Sequence, residues 1–254
     1  MKTLIYLVIT ALLLAALLVS LGVVFAEQAD FTVCSGTAIP DSQIDGKIGP
    51  EWNDAATYQN VPINPSGTGQ VWIKQDGTNL YIALQFQADS NKPWVAFQFG
   101  SSSCMSISAD GALFGDSNYC PNGYADIHFN GNPGVVVDQQ QDGKGAISVN
   151  GSNFVTVELK KPLNSGDTAG KDINWTVGNS YSFLIEWDSN GDGSSGGTTN
   201  HSTQTATSRT LLLSANPIPE FPSSTLLLIV LTAIISMISL AKLHRMRRPD
   251  ILAC

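Results

Sequence analysis

The chain has 254 residues, a net charge of −8, 43% hydrophobic residues and four cysteines. The apolar residues concentrate at the two ends, and residues 27–220 carry 20 acidic and 8 basic side chains, a net charge of −12. This acidic balance argues against a nucleic-acid partner, because proteins that bind nucleic acids need a basic surface. The length allows one sizeable domain with terminal segments.

The N-terminal segment has the pattern of an export signal. Residues 4–26 contain no charge, and Val24-Phe25-Ala26 provides the small-residue pattern of a signal-peptidase site. We predict a signal peptide at residues 1–26. An uncleaved signal anchor is the alternative, because the run is long enough to span a bilayer.

The C-terminal segment predicts a membrane anchor. An apolar run predicts a transmembrane helix at residues 223–241, and a basic tail at 242–254 follows at once. Positive charge beside a hydrophobic span marks the cytoplasmic side, so the protein is expected at the cell membrane with its domain facing outside. Residues 215–222 are rich in proline and predict a stiff stalk. Pro-Glu-Phe at 219–221, the span and the basic tail together resemble the PEF-type sorting signals of archaeal surface proteins; an ordinary stalk and anchor is the alternative.

Between these ends the patterns are those of β-strands. Residues 27–43 predict a linker or an edge strand, and residues 100–123 predict a long ordered loop. Asp76-Gly77-Thr78-Asn79 is a strong hairpin signal. Alternating apolar and polar residues at 154–159 and 181–187 predict strands that bury one face and wet the other. Further strands are predicted at 70–74, 80–88, 94–99, 124–129, 135–137, 146–149 and 209–214.

Short strands joined by Gly, Asn and Asp turns predict an all-β fold, an antiparallel β-sandwich over residues 44–214. Three glycosylation sequons, at Asn150, Asn174 and Asn200, suit an external domain.

The cysteines divide by predicted compartment. Cys104 and Cys120 bracket one polar loop on the oxidising side and are the natural disulfide pair. Cys34 then lacks a partner, and Cys254 lies beyond the predicted transmembrane helix. The chain has no Cys-x-x-Cys-His motif, which excludes covalently attached c-type haem.

Two stretches carry a family resemblance. The run at 44–55, Ile-Asp-Gly-Lys-Ile-Gly-Pro-Glu-Trp-Asn-Asp-Ala, resembles the opening of family 9 carbohydrate-binding modules and of a haem-binding group. The block at 161–167, Lys-Pro-Leu-Asn-Ser-Gly-Asp, followed by Trp187-Asp188 and a Gly-Gly loop, resembles the haem-binding subunits of ethylbenzene and dimethyl-sulfide dehydrogenases. The resemblance implies an immunoglobulin-like or DOMON-like sandwich that binds either haem or sugar.

The resemblance also implies haem ligands. His201 follows the Gly-Gly loop, where it roughly matches the haem-ligating lysine of the dehydrogenase subunits. Met105 lies in the loop region where those relatives carry a methionine, and His128 is the reserve ligand. A solvated loop histidine and a gap-filling core methionine are the alternatives.

A calcium site is a separate hypothesis. Asp188, Asn190 and Asp192 place oxygen donors at alternate positions, with Gly193 in sixth place, as in the first half of an EF-hand-type loop. The twelfth position is Thr199 where that motif needs glutamate, so a turn rich in Asp and Gly is the alternative.

No set of catalytic residues stands out, and Gly-Ser-Ser-Gly-Gly at 193–197 lacks the strand and helix that a nucleophile elbow needs. We therefore predict a protein that is not an enzyme. Its first predicted ligand is haem b, which would make it an electron-transfer module with a redox partner protein. The alternative is a non-catalytic carbohydrate-binding protein of the cell surface, with Trp175 as the exposed ring that stacks on sugar.

Overall fold

A computed structural model describes residues 30–64, 67–88, 91–103, 105–131, 134–167, 169, 171–188 and 208–214. All of them belong to one compact unit, Met1–Pro217. This part of the chain forms twelve β-strands and two short 3₁₀ turns, Asp41–Gln43 and Pro50–Trp52. The strands are β1 Phe31–Ser35, β2 Ala56–Asn64, β3 Gly67–Gln75, β4 Asn79–Gln87, β5 Trp94–Phe99, β6 Asp110–Phe114, β7 Tyr124–Phe129, β8 Val135–Val137, β9 Lys144–Val149, β10 Phe154–Pro162, β11 Ser180–Asp188 and β12 Arg209–Leu213.

The strands form two layers joined through β1. Layer A has the order β8-β7-β6-β5-β11-β12, and layer B has the order β3-β4-β10-β9, with β2 paired to β3. The first half of β1 pairs in parallel with β12, Phe31 opposite Leu211, while Cys34 and Ser35 pair in parallel with the end of β3. Most other strand pairs are antiparallel. The all-β sandwich predicted from the sequence is therefore present.

The main hydrophobic core lies between the layers. Alternate residues of β5, β11 and β12 point inward from layer A, and alternate residues of β3, β4 and β10 point inward from layer B. Within it the ring centroid of Phe183 lies 5.6 Å from that of Phe97 and 5.4 Å from that of Phe99. Burial of these large apolar side chains is the main source of stability in such a domain.

The outer face of layer B is partly covered by residues 36–55, here called the cover segment. Its Ile39, Ile44 and Trp52 pack on Tyr81 and Ala83 of β4. The prediction that β10 wets its outer face is therefore wrong at Glu158, which is fully buried beneath this segment, and at Thr156, which is also buried. The same prediction for β11 is wrong at Glu186, which is buried too. The cover segment supplies the apolar contacts that the strand pattern alone could not reveal.

The outer face of layer A carries a second apolar cluster. Residues of the β5–β6 and β6–β7 connections pack on the outward side chains of β5, β6 and β7. The 100–123 stretch is thus not only a loop, because it contains β6, which pairs with both β5 and β7. Its Asp-Gly-Ala-Leu-Phe sequence lacks alternation because both faces of this strand are covered.

Several strand predictions are confirmed: β5, β7 and β8 have the expected bounds, and β3 and β4 are joined through the predicted hairpin turn. The sequence patterns missed β2 and misplaced β1, which is an interior strand with two partners and not an edge. In the described part of the chain, no helix is long and apolar enough to cross a membrane. The predicted signal peptide, stalk, transmembrane helix and basic tail lie outside the described residues and stay predictions.

Candidate functional site

One row of polar side chains crosses the outer face of layer B. Cα partners in register place Gln70 of β3, Gln85 of β4, Thr156 of β10 and Ser148 of β9 side by side. Directly paired residues project from the same face of a sheet, and adjacent strands lie about 4.8 Å apart, so the four side chains span about 15 Å. We call this set the polar row. Gln70, Gln85 and Ser148 are half-buried in it, and Thr156 is only 5% exposed.

Aromatic rings flank the polar row on both sides. Trp72 is two residues from Gln70 along β3, and Phe154 is two residues from Thr156 along β10, so both rings share the face of the row. Both rings are half-buried. The row is thus bordered by aromatic surface that keeps a solvent-accessible part.

The polar row lies beside the edge of the cover segment. The hydroxyl of Ser148 donates to the carbonyl of Gly46 across 2.6 Å, and the Gln85 amide donates to the Thr156 hydroxyl across 3.0 Å. Gly46 has a φ of +81°, and a Cβ there would lie 3.1 Å from the Ser148 Cβ. A glycine is therefore needed for the cover segment to pass this close to the sheet. The cover segment thus contacts the row at its Ser148 end.

A second concave region lies at one end of the sandwich. Its volume is about 470 Å³, and it is lined by Asn91, Lys92, Pro93, Gly115, Ser117, Ile147 and Val149. Among the described lining residues none is aromatic. The polar row, with Trp72 and Phe154 beside it, offers more specific recognition chemistry than this cleft.

A buried group of charges lies between the layers. Lys161 is at an inward position of β10, and its ammonium lies 2.6 Å from Asp126, 3.1 Å from Asp172 and 3.2 Å from Asp110. All four side chains are at most 3% exposed. Oxygens of the three aspartates lie within 4.8 Å of one another, as metal ligands would, but the Lys161 ammonium already lies against them and supplies the positive charge.

Burial governs the protonation of this group. It raises the pKa of Asp110 to about 6 and that of Asp126 to about 7, although the nearby Lys161 charge works in the opposite direction. Burial works to lower the pKa of Lys161, but the facing carboxylates outweigh it and raise that pKa. Three carboxyl groups share one ammonium, so the group holds protons near neutral pH that exposed aspartates would have lost.

The structure separates the two predicted ligands that it describes. Met105 is 2% exposed and packs in the outer cluster of layer A with Trp94, Cys120 and Phe129. His128 lies on β7 and points to the opposite, inward side, where its Nδ1 shares a short hydrogen bond with Asp138. Its neighbours Ile127 and Phe129 face the outer cluster instead. The structure does not bring Met105 and His128 together.

The expected surface position of Trp175 is wrong. Its ring is 6% exposed and lies in the main core, edge-on to Phe99 at 5.2 Å and beside Tyr181 at 4.7 Å. The chain around it is polar, but the Trp175 backbone N–H donates to the Leu163 carbonyl, and the ring packs with the apolar side chains of the core. Its faces are therefore not available to stack on a ligand.

The remaining predicted site residues divide into two groups. Asn150 and Asn174 are exposed, as sequons require, and Cys120 is buried with its thiol against the Asp116 backbone. Cys104, Asn190, Asp192, Asn200, His201 and the Asp188 side chain lie outside the described residues. Haem ligation by His201, calcium binding and the Cys104–Cys120 disulfide therefore stay predictions.

Two features of the site were missed in the sequence, although signals for both were present. Gln85 and Gln87 alternate with apolar residues on β4, which marks an amide-bearing outer face. Lys161 follows Val155, Val157 and Leu159 at every second position, which places its side chain inward. What the sequence could not supply was the register that aligns four strands.

Comparisons with known proteins gave structural neighbours only. No protein-family model matches the chain, and no curated protein sequence matches it. One is a carbohydrate-binding module of family 9 from Caldicellulosiruptor kristjanssonii, solved with cellotriose. It is 14% identical to this chain with a TM-score of 0.42, and the match covers 75% of this chain and 96% of the module. The same type of module, solved with glucose, is 13% identical with a TM-score of 0.40, and the match covers 76% of this chain and 99% of the module. At such low similarity, the ligand of this chain has to be argued from its own residues.

Proposed function

We propose that this protein is a non-catalytic carbohydrate-binding protein and that the polar row is its glycan-binding surface. The observation that carries the proposal is the alignment of Gln70, Gln85, Thr156 and Ser148 across four strands, with Trp72 beside them. Haem binding, the first hypothesis drawn from the sequence, loses support because Met105 is part of a packed apolar cluster.

The chemistry of the row suits sugar hydroxyls. Carboxamides and hydroxyls both donate and accept hydrogen bonds, as each sugar hydroxyl does, so the half-buried Gln70, Gln85 and Ser148 can pair with several neighbouring hydroxyls. Thr156 is buried and positions the Gln85 amide. The apolar face of a pyranose ring can cover the exposed part of Trp72 or Phe154. Because the row spans about 15 Å, it can contact about three consecutive sugar units.

The charge of the domain selects a neutral glycan. Residues 27–220 carry a net charge of −12, which repels sulfated or uronic-acid polymers. The polar row itself contains only uncharged groups. A neutral polysaccharide chain, running across the strands of layer B, is therefore the proposed ligand class.

Affinity electrophoresis of the full-length protein in gels that contain neutral polysaccharides tests the proposal. We expect retardation in at least one gel, and we expect Gln85→Ala to weaken binding about five- to tenfold, which corresponds to the loss of one hydrogen bond of about 1 kcal/mol. Trp72→Ala should weaken binding further because it removes the aromatic contact. Gln140→Ala is the matched control, since Gln140 is an exposed amide on the β8–β9 connection, away from the row.

Two results would contradict the proposal. One is migration of the wild-type protein that no neutral polysaccharide changes. The other is retardation that Gln85→Ala and Trp72→Ala leave intact. If haemin added to the same protein gives a low-spin absorption spectrum that His201→Ala removes, the haem hypothesis is the better account. Membrane anchoring at the cell surface belongs to both proposals and is tested separately by adding protease to intact cells.

A further inference from the structure

The buried charge group joins the two layers, and its shortest contact across them is between Lys161 and Asp126. Lys161 is on β10 of layer B, Asp126 is on β7 of layer A, and the Lys161 Nζ lies 2.6 Å from the Asp126 Oδ1. Both side chains are at most 1% exposed. Their backbones are fixed by paired strands on both sides, because β10 pairs with β4 and β9 while β7 pairs with β6 and β8. An amine and a carboxyl group are thus held in contact where water has no access.

We propose that Lys161 and Asp126 form an intramolecular isopeptide bond that links the two layers covalently. The reacting atoms are the Lys161 Nζ and the Asp126 Cγ. The reaction is a condensation of one amine with one carboxylic acid, and the neighbouring carboxyl of Asp110 carries the proton between them.

The hydrogen bonds of Asp126 and Asp110 give the two carboxyl groups different roles in the reaction. The Asp126 Oδ2 accepts the backbone N–H of Asp142 across 3.1 Å, which polarises this oxygen and stabilises the negative charge that develops on it. The Asp126 Oδ1 faces the amine and is the oxygen that leaves. The Asp110 Oδ2 accepts the backbone N–H of Ile173 across 3.0 Å, while its Oδ1 lies 3.2 Å from the Lys161 Nζ and is the oxygen placed to take a proton from it.

These positions allow a balanced reaction. The Lys161 ammonium passes one proton to the Asp110 carboxylate, and the free amine attacks the Cγ of protonated Asp126. The C–N bond forms, the Asp110 carboxyl returns its proton to the Asp126 Oδ1, and the C–Oδ1 bond breaks. After the attack the nitrogen carries two hydrogens; it passes one to Asp110 as a proton and keeps the other. One water molecule leaves, and no oxidant, reductant or cofactor takes part.

The surroundings favour the amide over the ion pair. Three carboxyl groups and one ammonium are buried together, and unbalanced charge in a low-dielectric interior is costly. The condensation replaces one charged pair by a neutral amide that needs far less solvation. Burial also keeps Asp126 partly protonated near neutral pH, because its pKa is raised to about 7, and only the protonated acid has a good leaving group.

Mass spectrometry of the full-length protein tests the bond. The folded wild-type chain should be lighter than its sequence by one water molecule. A tryptic digest should contain residues 161–171 joined to the peptide that holds Asp126. Heat-denatured wild-type protein should migrate faster in a denaturing gel than a chain without the bond, because the link shortens the extended chain.

Three variants and one control separate the roles. Lys161→Arg keeps a positive charge but should lose the bond entirely, whereas Lys160→Arg, at the half-buried neighbour on the outer face of β10, should keep it. Asp110→Asn should slow the appearance of the linked form after refolding by about 100-fold or more, as expected when a proton carrier is removed. Asp126→Asn should still react and release ammonia in place of water, so its product should have the same mass as the linked wild-type chain.

A folded wild-type protein whose Lys161 peptide is unmodified would overturn the proposal. This result does not depend on any variant folding correctly. A link from Lys161 to Asp110 or to Asp172 would also overturn it, because the geometry assigns Asp126 as the partner.

Discussion

The indole nitrogen of Trp52 donates a hydrogen bond to the Glu158 Oε1 across 2.7 Å, although the two residues are 106 positions apart in the chain. The other oxygen of Glu158 accepts the backbone N–H groups of Asp45, Gly46 and Lys47 at 2.8, 2.6 and 3.3 Å. One buried carboxylate thereby fixes the whole turn of the cover segment. Glu158 therefore binds the run at 44–52, Ile-Asp-Gly-Lys-Ile-Gly-Pro-Glu-Trp, through its backbone N–H groups and its indole.

Glu158→Ala should destabilise the domain by about 2–4 kcal/mol, because it leaves the Trp52 indole and three backbone N–H groups buried without an acceptor. Glu158→Gln keeps one acceptor oxygen and should cost less. Urea unfolding monitored by tryptophan fluorescence measures both. Lys160→Ala is the control from the same strand, since its exposed ion pair with Asp41 contributes at most about 1 kcal/mol. Equal stabilities for Glu158→Ala and Lys160→Ala would contradict this account.

Stability should fall as the pH rises from about 4 to about 7. Asp110 and Asp126 keep their protons up to about pH 6 and 7 in the folded state, whereas the unfolded chain releases them near pH 4, so the folded state binds more protons across this window. Asp54, whose pKa is lowered to about 2 despite some burial, acts with the opposite sign and only below about pH 4.

Urea midpoints in buffers across that range check the pH prediction. Asp110→Asn should flatten the lower part of the curve. If Asp126 is consumed in the isopeptide bond, only the Asp110 part of the dependence should remain in the wild-type protein. Stability that increases steadily from pH 4 to 7 would show that these two aspartates are not held in the protonated form.

Met105→Ala should lower the unfolding free energy by about 2–5 kcal/mol, because it opens a cavity in the outer cluster of layer A. Met105→Leu is the matched variant: it fills the same volume without a thioether and should cost less than about 1.5 kcal/mol. Chemical denaturation measures both, and the spectrum after haemin addition provides a second reading. A haem spectrum in the wild type that Met105→Leu abolishes would restore Met105 as a ligand.

Trp175→Ala should destabilise the domain by about 3–5 kcal/mol, since the ring is buried against Phe99 and Tyr181. Trp175→Phe should retain much of that packing. Glycan affinity, measured on the folded fraction, should not change in Trp175→Phe. If Trp175→Phe lost glycan affinity at unchanged stability, Trp175 would have to be part of the binding surface, contrary to this prediction.

The parts of the fold that could be predicted from the sequence are those with local signals. The hairpin between β3 and β4 has its turn residues within four positions, and β5 and β7 carry compact apolar patterns. β1 could not be placed, because its partner β12 is about 180 residues away and only tertiary packing brings them together.

The candidate site was harder to predict for the same reason. Gln85 shows its outward direction by alternation on β4, but its alignment with Thr156 depends on which strands become neighbours and in which register. Trp175 was misplaced because a polar stretch of sequence surrounds it, whereas its own ring packs against Phe99 and Tyr181 in the core. Local polarity does not report on a single side chain that turns inward.

The parallel pairing of β1 with β12 has a mechanical consequence. The described domain begins just before β1 and ends just after β12, and the two strands run in the same direction. Tension between the two ends would therefore pull these strands past each other lengthwise, so that all their hydrogen bonds carry the load together and none opens first. Since β1 is also hydrogen-bonded to β3, part of that tension would pass into layer B. We therefore expect the domain to resist unfolding when force is applied between its two ends.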